Sequence, residues 1–348
     1  MRKINILRRL IIVEAVLVAL LLVFISGESI PGEPIQVKSD ATGDYIKWVD
    51  FTVSYEALCA AYEWDVKTYG TEHHVNWIEL LAYTATQTGA EFDEKALKIL
   101  ESAANKLSCG EKNIEELTKD LKYYSYYHEA YTAVLGGLVG EYEREVADAA
   151  GDKRYEKVYG LKGYFPLAKG FDYSHSDDFG VGRSYGYKRK HLGHDMMGAT
   201  GTPIIAIESG TVEALGWNQY GGWRVGIRSL DKKRYYYYAH LRQNYPFAEG
   251  LNEGSVVTAG DVIGYMGRTG YSTEENVNNI EITHLHWGLQ LIFDESQKEC
   301  DSEIWIDVYP LTRFLAKHMQ EAVKVEGTKE WVRTTGIVDP EVEENIAR

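Results

Sequence analysis

The strongest constraint on the fold is a change in sequence texture near residue 160. From there on, glycines are frequent, and short runs rich in β-branched and aromatic residues alternate with turn residues, among them TPIIAIES, WRVGIRS and RYYYYAHL. Such runs are typical of strands. No clear helical stretch interrupts them, and parallel strands need long crossover connections that are usually helices. The sequence therefore predicts a mainly antiparallel, open barrel-like β-sheet over residues 160–310.

Residues 46–155 have the opposite character. They contain no proline, and apolar residues recur at three- and four-residue spacing, as at Ile78, Leu81, Ala82 and Ala85. This period is typical of helices that bury one face, so an all-α domain is predicted, with helical character continuing over Asn113–Ala150. Residues 311–348 predict a terminal helix, from about Pro310 to Val323, and an acidic tail.

The N-terminal segment suggests a membrane anchor. Leu10 to Ile25 is apolar except for Glu14, and four basic residues precede it. Basic residues before an apolar run place the N-terminus in the cytoplasm. We therefore expect a cytoplasmic tip and transmembrane helix over residues 1–27, a linker over 28–45, and a single-pass cell-membrane protein whose later domains are extracytoplasmic. The alternative is a cleaved signal peptide and a secreted protein.

Charge and cysteine content exclude two classes of site. The formal net charge of −15 argues against nucleic acid as a partner, because phosphate binding requires a basic patch. The three cysteines cannot all pair within one chain, and none has the CxxC or CxxH spacing of a thiolate zinc site. One disulfide, Cys59–Cys109, is possible.

Three histidine patterns in the β-rich region could carry chemistry. In HLGHD, His191 and Asp195 are four residues apart, and both residue types are common zinc ligands. In THLHWG, His284 and His286 share one face of a strand, which is either a solvated face or a binding site. In YYYYAHL, His240 ends a strand and alone is more typical of a surface position.

The order of these patterns is more informative than any one of them. HLGHD is followed by GTPIIAIESGTVEALG, then YYYYAHL, then GSVVTAGDVIGYMGRTGYS, then THLHWG. Over about residues 164–293 the sequence resembles the lysostaphin/LytM-type peptidoglycan endopeptidases, the family with a duplicated hybrid motif. The upstream Phe179, Gly180 and Arg183 also fit the way such domains begin.

The resemblance implies a metallopeptidase domain with Zn²⁺ as its cofactor. His191, Asp195 and His286 would be the metal ligands, and three protein ligands leave the fourth position of a catalytic zinc to water. His240 and His284 would be the catalytic histidines beside the metal, which help to deprotonate water and stabilise the oxyanion. The implied activity is a membrane-anchored zinc metalloendopeptidase that hydrolyses peptide bonds in peptidoglycan stem peptides or cross-bridges.

The sequence departs from the family pattern near the site. Eleven residues, Thr273 to Thr283, separate GYS from HLH, and we expect an enlarged loop near the groove that alters substrate choice or covers the site. The family's HLHFE becomes HLHWG, so Gly288 stands where a carboxylate is usual. His194 occupies a usually aliphatic position and either faces away from the metal or acts as an accessory ligand.

Two other functions fit the sequence less well. The chain could bind zinc without catalysis, as a scaffold or regulator of other cell-wall enzymes in division or sporulation. Alternatively, the helical domain could cut glycan, since VNWIELLAYTATQTG faintly resembles the helix of lysozyme-like transglycosylases. The glutamate signature of that family is absent, because Gln87 and Thr88 stand near its place.

Overall fold

Several helices begin where short polar side chains accept hydrogen bonds from the first backbone amides. The computed structural model describes residues 45–148, 151–185, 187–298 and 302–346. Asn76 accepts from the amides of Ile78 and Glu79, and Asp93 caps the next helix in the same way. The helices are α1 (Tyr55–Thr68), α2 (Trp77–Thr88), α3 (Glu94–Ser108), α4 (Ile114–Thr118), α5 (Tyr124–Leu135), α6 (Tyr309–Leu315) and α7 (Pro340–Ile346).

The prediction of a transmembrane helix is corrected. None of the helices in the described part of the chain is both long enough and apolar enough to cross a membrane. The fold class is therefore an antiparallel β domain preceded by helices. The predicted single-pass placement in the cell membrane depended on the transmembrane helix and is corrected with it. Residues 10–25, on which both predictions depended, lie outside the described residues.

Helical structure ends earlier than the sequence suggested. The helical prediction for Asn113–Ala150 is wrong beyond Leu135, because strand β1 (Val139–Ala147) follows and pairs with β2 (Lys153–Leu161). Gly136 and Gly137 interrupt the helix, and the residues after them pair with β2 over the whole length of β1. Likewise, the terminal helix expected over Pro310–Val323 is only α6. Cys59 and Cys109 are free thiols.

The antiparallel sheet prediction is confirmed. The main sheet has eight strands, of which seven lie in the order β11-β8-β9-β10-β13-β6-β3, while β14 pairs with β13. The sheet strands are β3 (Tyr173–His175), β6 (His194–Gly198), β8 (Gly210–Asn218), β9 (Gly222–Ser229), β10 (Arg234–Ala239), β11 (Val256–Val257), β13 (His284–Leu291) and β14 (Ile304–Trp305). Four smaller pairings involve β1 with β2 and β17 (Ile337–Val338), β4 (Gly182–Tyr185) with β5 (Tyr187–Lys190), β7 (Pro203–Ile205) with β12 (Val262–Tyr265), and β15 (Ala322–Lys324) with β16 (Trp331–Arg333).

The helices and the main sheet share one continuous apolar core, which extends from Val49 to Leu315. A buried ion pair joins the two parts. The Arg234 Nε lies 2.8 Å from Glu208 Oε2, and the same guanidinium donates to the backbone carbonyls of Thr132 and Ala133 at the end of α5. Because the last carbonyls of a helix lack partners within it, Arg234 caps α5 from the sheet. The sheet that holds the site is thus fixed against the helices.

Candidate metal and catalytic site

One face of the main sheet forms the floor of a groove. Side chains alternate along each strand, so Leu285 and Trp287 of β13 are fully buried in the core while His284 and His286 lie on the opposite face. The sequence prediction for the HLH motif therefore holds in the structure. Ala239, His286 and Asp195 stand side by side on β10, β13 and β6 in one row across this face.

The three sequence-predicted ligands converge on one point. The His191 Nε2 lies 3.0 Å from Asp195 Oδ1 and 2.9 Å from His286 Nδ1, and His286 Nδ1 lies 3.0 Å from Asp195 Oδ1. Within the described residues, these three form a group of donor atoms that could hold a metal ion. His191 and Asp195 are buried, and His286 is half-buried.

Hydrogen bonding alone does not account for this triangle. The His191 Nδ1 lies 3.1 Å from the carbonyl oxygen of Asp178, which can only accept, so Nδ1 carries the proton and Nε2 of a neutral ring presents a lone pair. Asp195 Oδ1 also presents only lone pairs when ionised. Two lone-pair atoms 3.0 Å apart repel each other unless a cation lies between them. The donor set of two imidazoles and a carboxylate therefore fits a divalent metal of the zinc type.

Gly193 makes room for one ligand. A Cβ atom at this position would lie 2.5 Å from Cε1 and 2.6 Å from Nε2 of His286. No side chain can be accommodated there without moving that imidazole. The HLGHD motif thus needs its glycine for the close approach of a ring from another strand.

His240 and His284 flank the predicted ligands, with ring centroids 4.8 Å apart. The His240 Nδ1 donates to the Thr269 carbonyl at 2.9 Å, and the His284 Nδ1 donates to the Ile282 carbonyl at 2.8 Å. Because both carbonyls can only accept, each ring keeps Nε2 free for proton transfer. His284 Nε2 lies 3.7 Å from Asp195 Oδ1. His240 adopts a positive φ of 62°, an uncommon conformation that holds its ring at the end of β10.

A second layer of polar groups holds the ligands in place. The Arg183 guanidinium bridges Asp178 Oδ2 at 2.6 Å and Asp195 Oδ2 at 3.0 Å. Burial alone would raise the pKa of Asp195, but the adjacent imidazoles of His191 and His286 outweigh it and hold that pKa well below its usual range. Asp195 is therefore ionised, as a metal ligand must be.

His194 faces away from the three ligands, one of the two orientations that the sequence left open. Its Nε2 lies 2.7 Å from His175 Nδ1, and its ring packs 5.4 Å from that of Tyr309. Burial lowers the pKa of His194 to about 3, and His175 adds to the effect. His194 is thus a neutral core residue at neutral pH.

The groove itself has a volume of about 870 Å³ and contains all five sequence-predicted residues in its lining. Tyr237 lies at its centre, between Gly226 and Gly288 on the neighbouring strands. A Cβ at Gly288 would lie 2.9 Å from the Trp305 indole. Trp305 therefore occupies the space next to Gly288, where the family pattern has a carboxylate.

The inserted loop does not line the groove. It is instead held against residues 243–244, since Gln243 Nε2 donates to the Asn276 carbonyl at 2.7 Å and Asn276 Oδ1 accepts from the Trp223 indole at 2.9 Å. Asn279 Nδ2 donates to the Tyr271 carbonyl at 2.6 Å. The expectation that this loop covers the site is therefore wrong, and the loop acts on the site through Tyr271 and the Ile282 carbonyl.

Some site residues were not singled out from the sequence, notably Asp178, Arg189, Tyr237, Thr269 and Tyr271. They come from loops and strands far apart in the chain, and Thr269 contributes a backbone carbonyl, which has no residue-type signal. Asp178 lies next to the Phe179-Gly180 motif. That adjacency was the one signal that could have found it.

Comparisons with known proteins identify the family that the region around this site resembles. Residues 189–299 match peptidase family M23. The β-rich part of this chain is therefore similar to the M23 peptidases. This confirms the resemblance to the lysostaphin/LytM-type proteins, and the matched residues contain all five predicted site residues.

Two curated relatives are similar over the same region. An L-Ala–D-Glu endopeptidase of Bacillus subtilis (strain 168) is 39% identical over 125 residues, which are 36% of this chain and 37% of the relative. Lysostaphin of Staphylococcus simulans is 36% identical over 89 residues, which are 25% of this chain and 17% of the relative. The matched region therefore spans 37% of the Bacillus relative and 17% of lysostaphin, well under two thirds of either.

One solved structure is similar over a larger part of the chain. A protein of Ruminococcus gnavus, provisionally assigned as a glycyl-glycine endopeptidase lytM, matches with a TM-score of 0.54 and 24% identity. The match covers 80% of this chain and 94% of that one. At this identity the similarity shows a shared fold and nothing about activity.

Proposed function

We propose that the chain is a zinc metalloendopeptidase that hydrolyses peptide bonds in peptidoglycan stem peptides or cross-bridges. The observation that supports this most is the triangle of donor atoms on His191, Asp195 and His286, with two further histidines beside it in an open groove. The choice of peptidoglycan rests on the similarity to the M23 peptidases, on the family resemblance of the sequence motifs, and on the activity named for the Bacillus relative, an L-Ala–D-Glu endopeptidase.

The three ligands are suited to catalytic zinc because they occupy three positions of a tetrahedral ion. Zinc, when bound, supplies a Lewis acid that activates water and polarises a peptide carbonyl. The chain keeps His191 in the ligating tautomer through Asp178, and it keeps Asp195 ionised through its imidazole neighbours. Arg183 holds the second oxygen of Asp195, which leaves Oδ1 as the oxygen that would hold the ion.

His240 and His284 would move the protons. Burial holds the pKa of His240 well below its usual value, so this ring is neutral and can accept a proton at Nε2. The Thr269 and Ile282 carbonyls keep Nδ1 of each ring protonated, which directs any transfer to Nε2. A ring protonated in this way can then donate to the leaving amine or to the negative oxygen of the attacked carbonyl.

The groove would bind the substrate as an extended peptide. Its lining contains Ala214, Tyr235 and Tyr237, and the glycines Gly226 and Gly288 stand beside Tyr237 on the neighbouring strands. Tyrosines combine apolar contact area with a hydroxyl that can pair with peptide groups. The experiment is elemental analysis of the full chain combined with digestion of purified sacculi, with and without chelator. Zinc retention without any release of peptide fragments would overturn the proposal and favour a zinc-binding scaffold.

A further inference from the structure

The groove is positively charged near the predicted metal ligands, although the chain as a whole carries a net charge of −15. Arg183, Arg189, Lys190 and Arg224 all contribute to its lining. Arg183 is neutralised by Asp178 and Asp195. In contrast, neither Arg189 nor Arg224 forms an ion pair with any residue that the structure describes.

Arg189 is held rigidly by two tyrosines. Its guanidinium carbon lies 5.0 Å from the centre of the Tyr271 ring and 6.0 Å from that of Tyr220, and one of its nitrogens donates to the Tyr271 hydroxyl. Aromatic contacts stabilise a cation and fix its orientation. A guanidinium that is already oriented loses little conformational entropy when it binds an anion.

The hydrogen bonding of Arg189 is incomplete. Its Nε–H is buried and has no partner among the described residues. An unsatisfied buried donor is costly, so the chain keeps this arginine in place without meeting its hydrogen-bonding capacity. A planar guanidinium of this kind is complementary to a carboxylate, which it can bind through two parallel hydrogen bonds.

Arg224 reinforces the same region. It lies on β9, and both Arg224 and Arg189 are close enough to Tyr237 to oppose the effect of burial, which raises the pKa of that phenol. Among the described residues, no acidic residue of the groove lining forms an ion pair with Arg189 or Arg224, and Glu213 instead pairs with Arg228 and Lys298. Glu213 accepts from Arg228 at 2.7 Å, Glu253 from the Leu215 amide at 3.0 Å, and Glu303 from the Trp305 indole at 2.7 Å.

We propose that Arg189, supported by Arg224, binds a carboxylate of the substrate peptide next to the metal ligands. The chain then selects a stem-peptide segment that bears a free carboxylate over an uncharged cross-bridge. This inference rests on the proposed peptidase function. It deepens that function because it names the chemical class of the substrate and a residue that recognises it.

Equilibrium binding tests this inference separately from cleavage. Two synthetic stem-type peptides that differ only in glutamate or glutamine at one position would be titrated into the full chain, treated with chelator so that no bond is cut. Charge-assisted hydrogen bonds to arginine predict that the glutamate peptide binds about 10- to 100-fold more tightly. Arg189→Gln should remove that difference and leave binding of the glutamine peptide unchanged.

Lys188→Gln is the matched control, because Lys188 is exposed on the same strand β5, lies outside the groove lining and carries the same charge. It should preserve the difference between the peptides. Equal affinity for both peptides, no binding of either, or a difference that survives in Arg189→Gln would overturn the inference. If both peptides are cut at equal rates after zinc is restored, the peptidase function stands and the selection of a carboxylate is overturned. If the glutamate peptide binds more tightly but neither peptide is cut, the proposed peptidase function is overturned and carboxylate binding by Arg189 stands.

Discussion

Asp195 and His286 lie directly opposite each other on the antiparallel strands β6 and β13, with Asp195 Oδ1 3.0 Å from His286 Nδ1. Sheet register therefore sets the distance between two of the three predicted ligands. A shift of one residue would turn one of them to the other face. The third ligand, His191, reaches the same point from the segment after β5, where its amide donates to the Val181 carbonyl at 2.9 Å.

Gly193→Ala should weaken metal binding. The added methyl group would lie 2.5 Å from the His286 ring, so the imidazole must move off the ligand position. We expect at least a 10-fold loss of zinc affinity, measured by competition with a chromogenic chelator. Gly182→Ala is the control, because its Cβ meets no atom within 4 Å. Equal affinity in both variants would contradict this explanation of Gly193.

His240→Gln and His284→Gln should separate catalysis from metal binding. Both side chains point Nε2 towards the site, but neither belongs to the group of three that could hold the metal. Removal of a group that transfers protons lowers kcat by roughly 10²- to 10⁴-fold. Zinc content, measured by elemental analysis, should stay at the wild-type level. Loss of zinc in either variant would show that this histidine is a ligand.

The choice of His191, Asp195 and His286 as ligands came from the family resemblance and stays a prediction, whereas the pairing of His284 with His286 follows from strand geometry. Two residues two apart on a strand share a face, so His284 and His286 could be paired from the HLH motif alone. The hydrogen-bond partners of the site residues could not be predicted. Asp178 and Thr269 contact the histidines through backbone carbonyls, and Arg189 donates to Tyr271, which is 82 residues away in the chain. Such contacts depend on loop conformations that residue types do not specify.

The helical region was harder to delimit from sequence. Val139–Ala147 has enough charged and apolar residues to fit a helix, but it pairs along its whole length with β2. Its long-range partner determines its conformation, and a tertiary pairing of this kind overrides local propensity. The buried Arg234–Glu208 pair, which fixes the helices against the sheet, also joins residues that no motif connects.

Arg234→Met should destabilise the fold. It would leave Glu208 as a buried carboxylate without its cation and remove the donors that cap α5. Loss of one partner of a buried pair typically costs about 3–5 kcal/mol in the free energy of unfolding. Chemical denaturation measures this loss. Arg154→Gln removes an exposed pairing with Glu156 and should cause little change. Equal losses of unfolding free energy in the two variants would show that the buried pair stabilises the fold no more than the exposed pair does.

Stability should fall as pH decreases below about 6.5, in part because of His318. This ring stacks on Tyr164 at 3.9 Å, and its Nδ1 donates to the Gly163 carbonyl at 3.0 Å. Burial lowers the pKa of His318 in the folded state. The unfolded chain, with the ordinary histidine pKa of about 6.5, therefore binds more protons between the two pKa values.

His318→Gln should consequently reduce the dependence of unfolding free energy on pH between pH 6.5 and pH 5. The expected reduction is at most about 1.4 kcal/mol per pH unit, the limit for one proton. Denaturation at several pH values measures the slope in both proteins, and the other histidines act equally in each. An unchanged slope in the variant would show that His318 titrates normally in the folded protein.

His191, Asp195 and His286 are proposed to hold a zinc ion on which peptide cleavage depends. The most direct measurement is zinc content together with mass analysis of fragments released from defined peptidoglycan, made on the full chain and on its His286→Ala variant. We expect one bound zinc and released peptide fragments for the wild type, and loss of both for the variant. Zinc content and fragment release that both persist in His286→Ala would contradict this assignment.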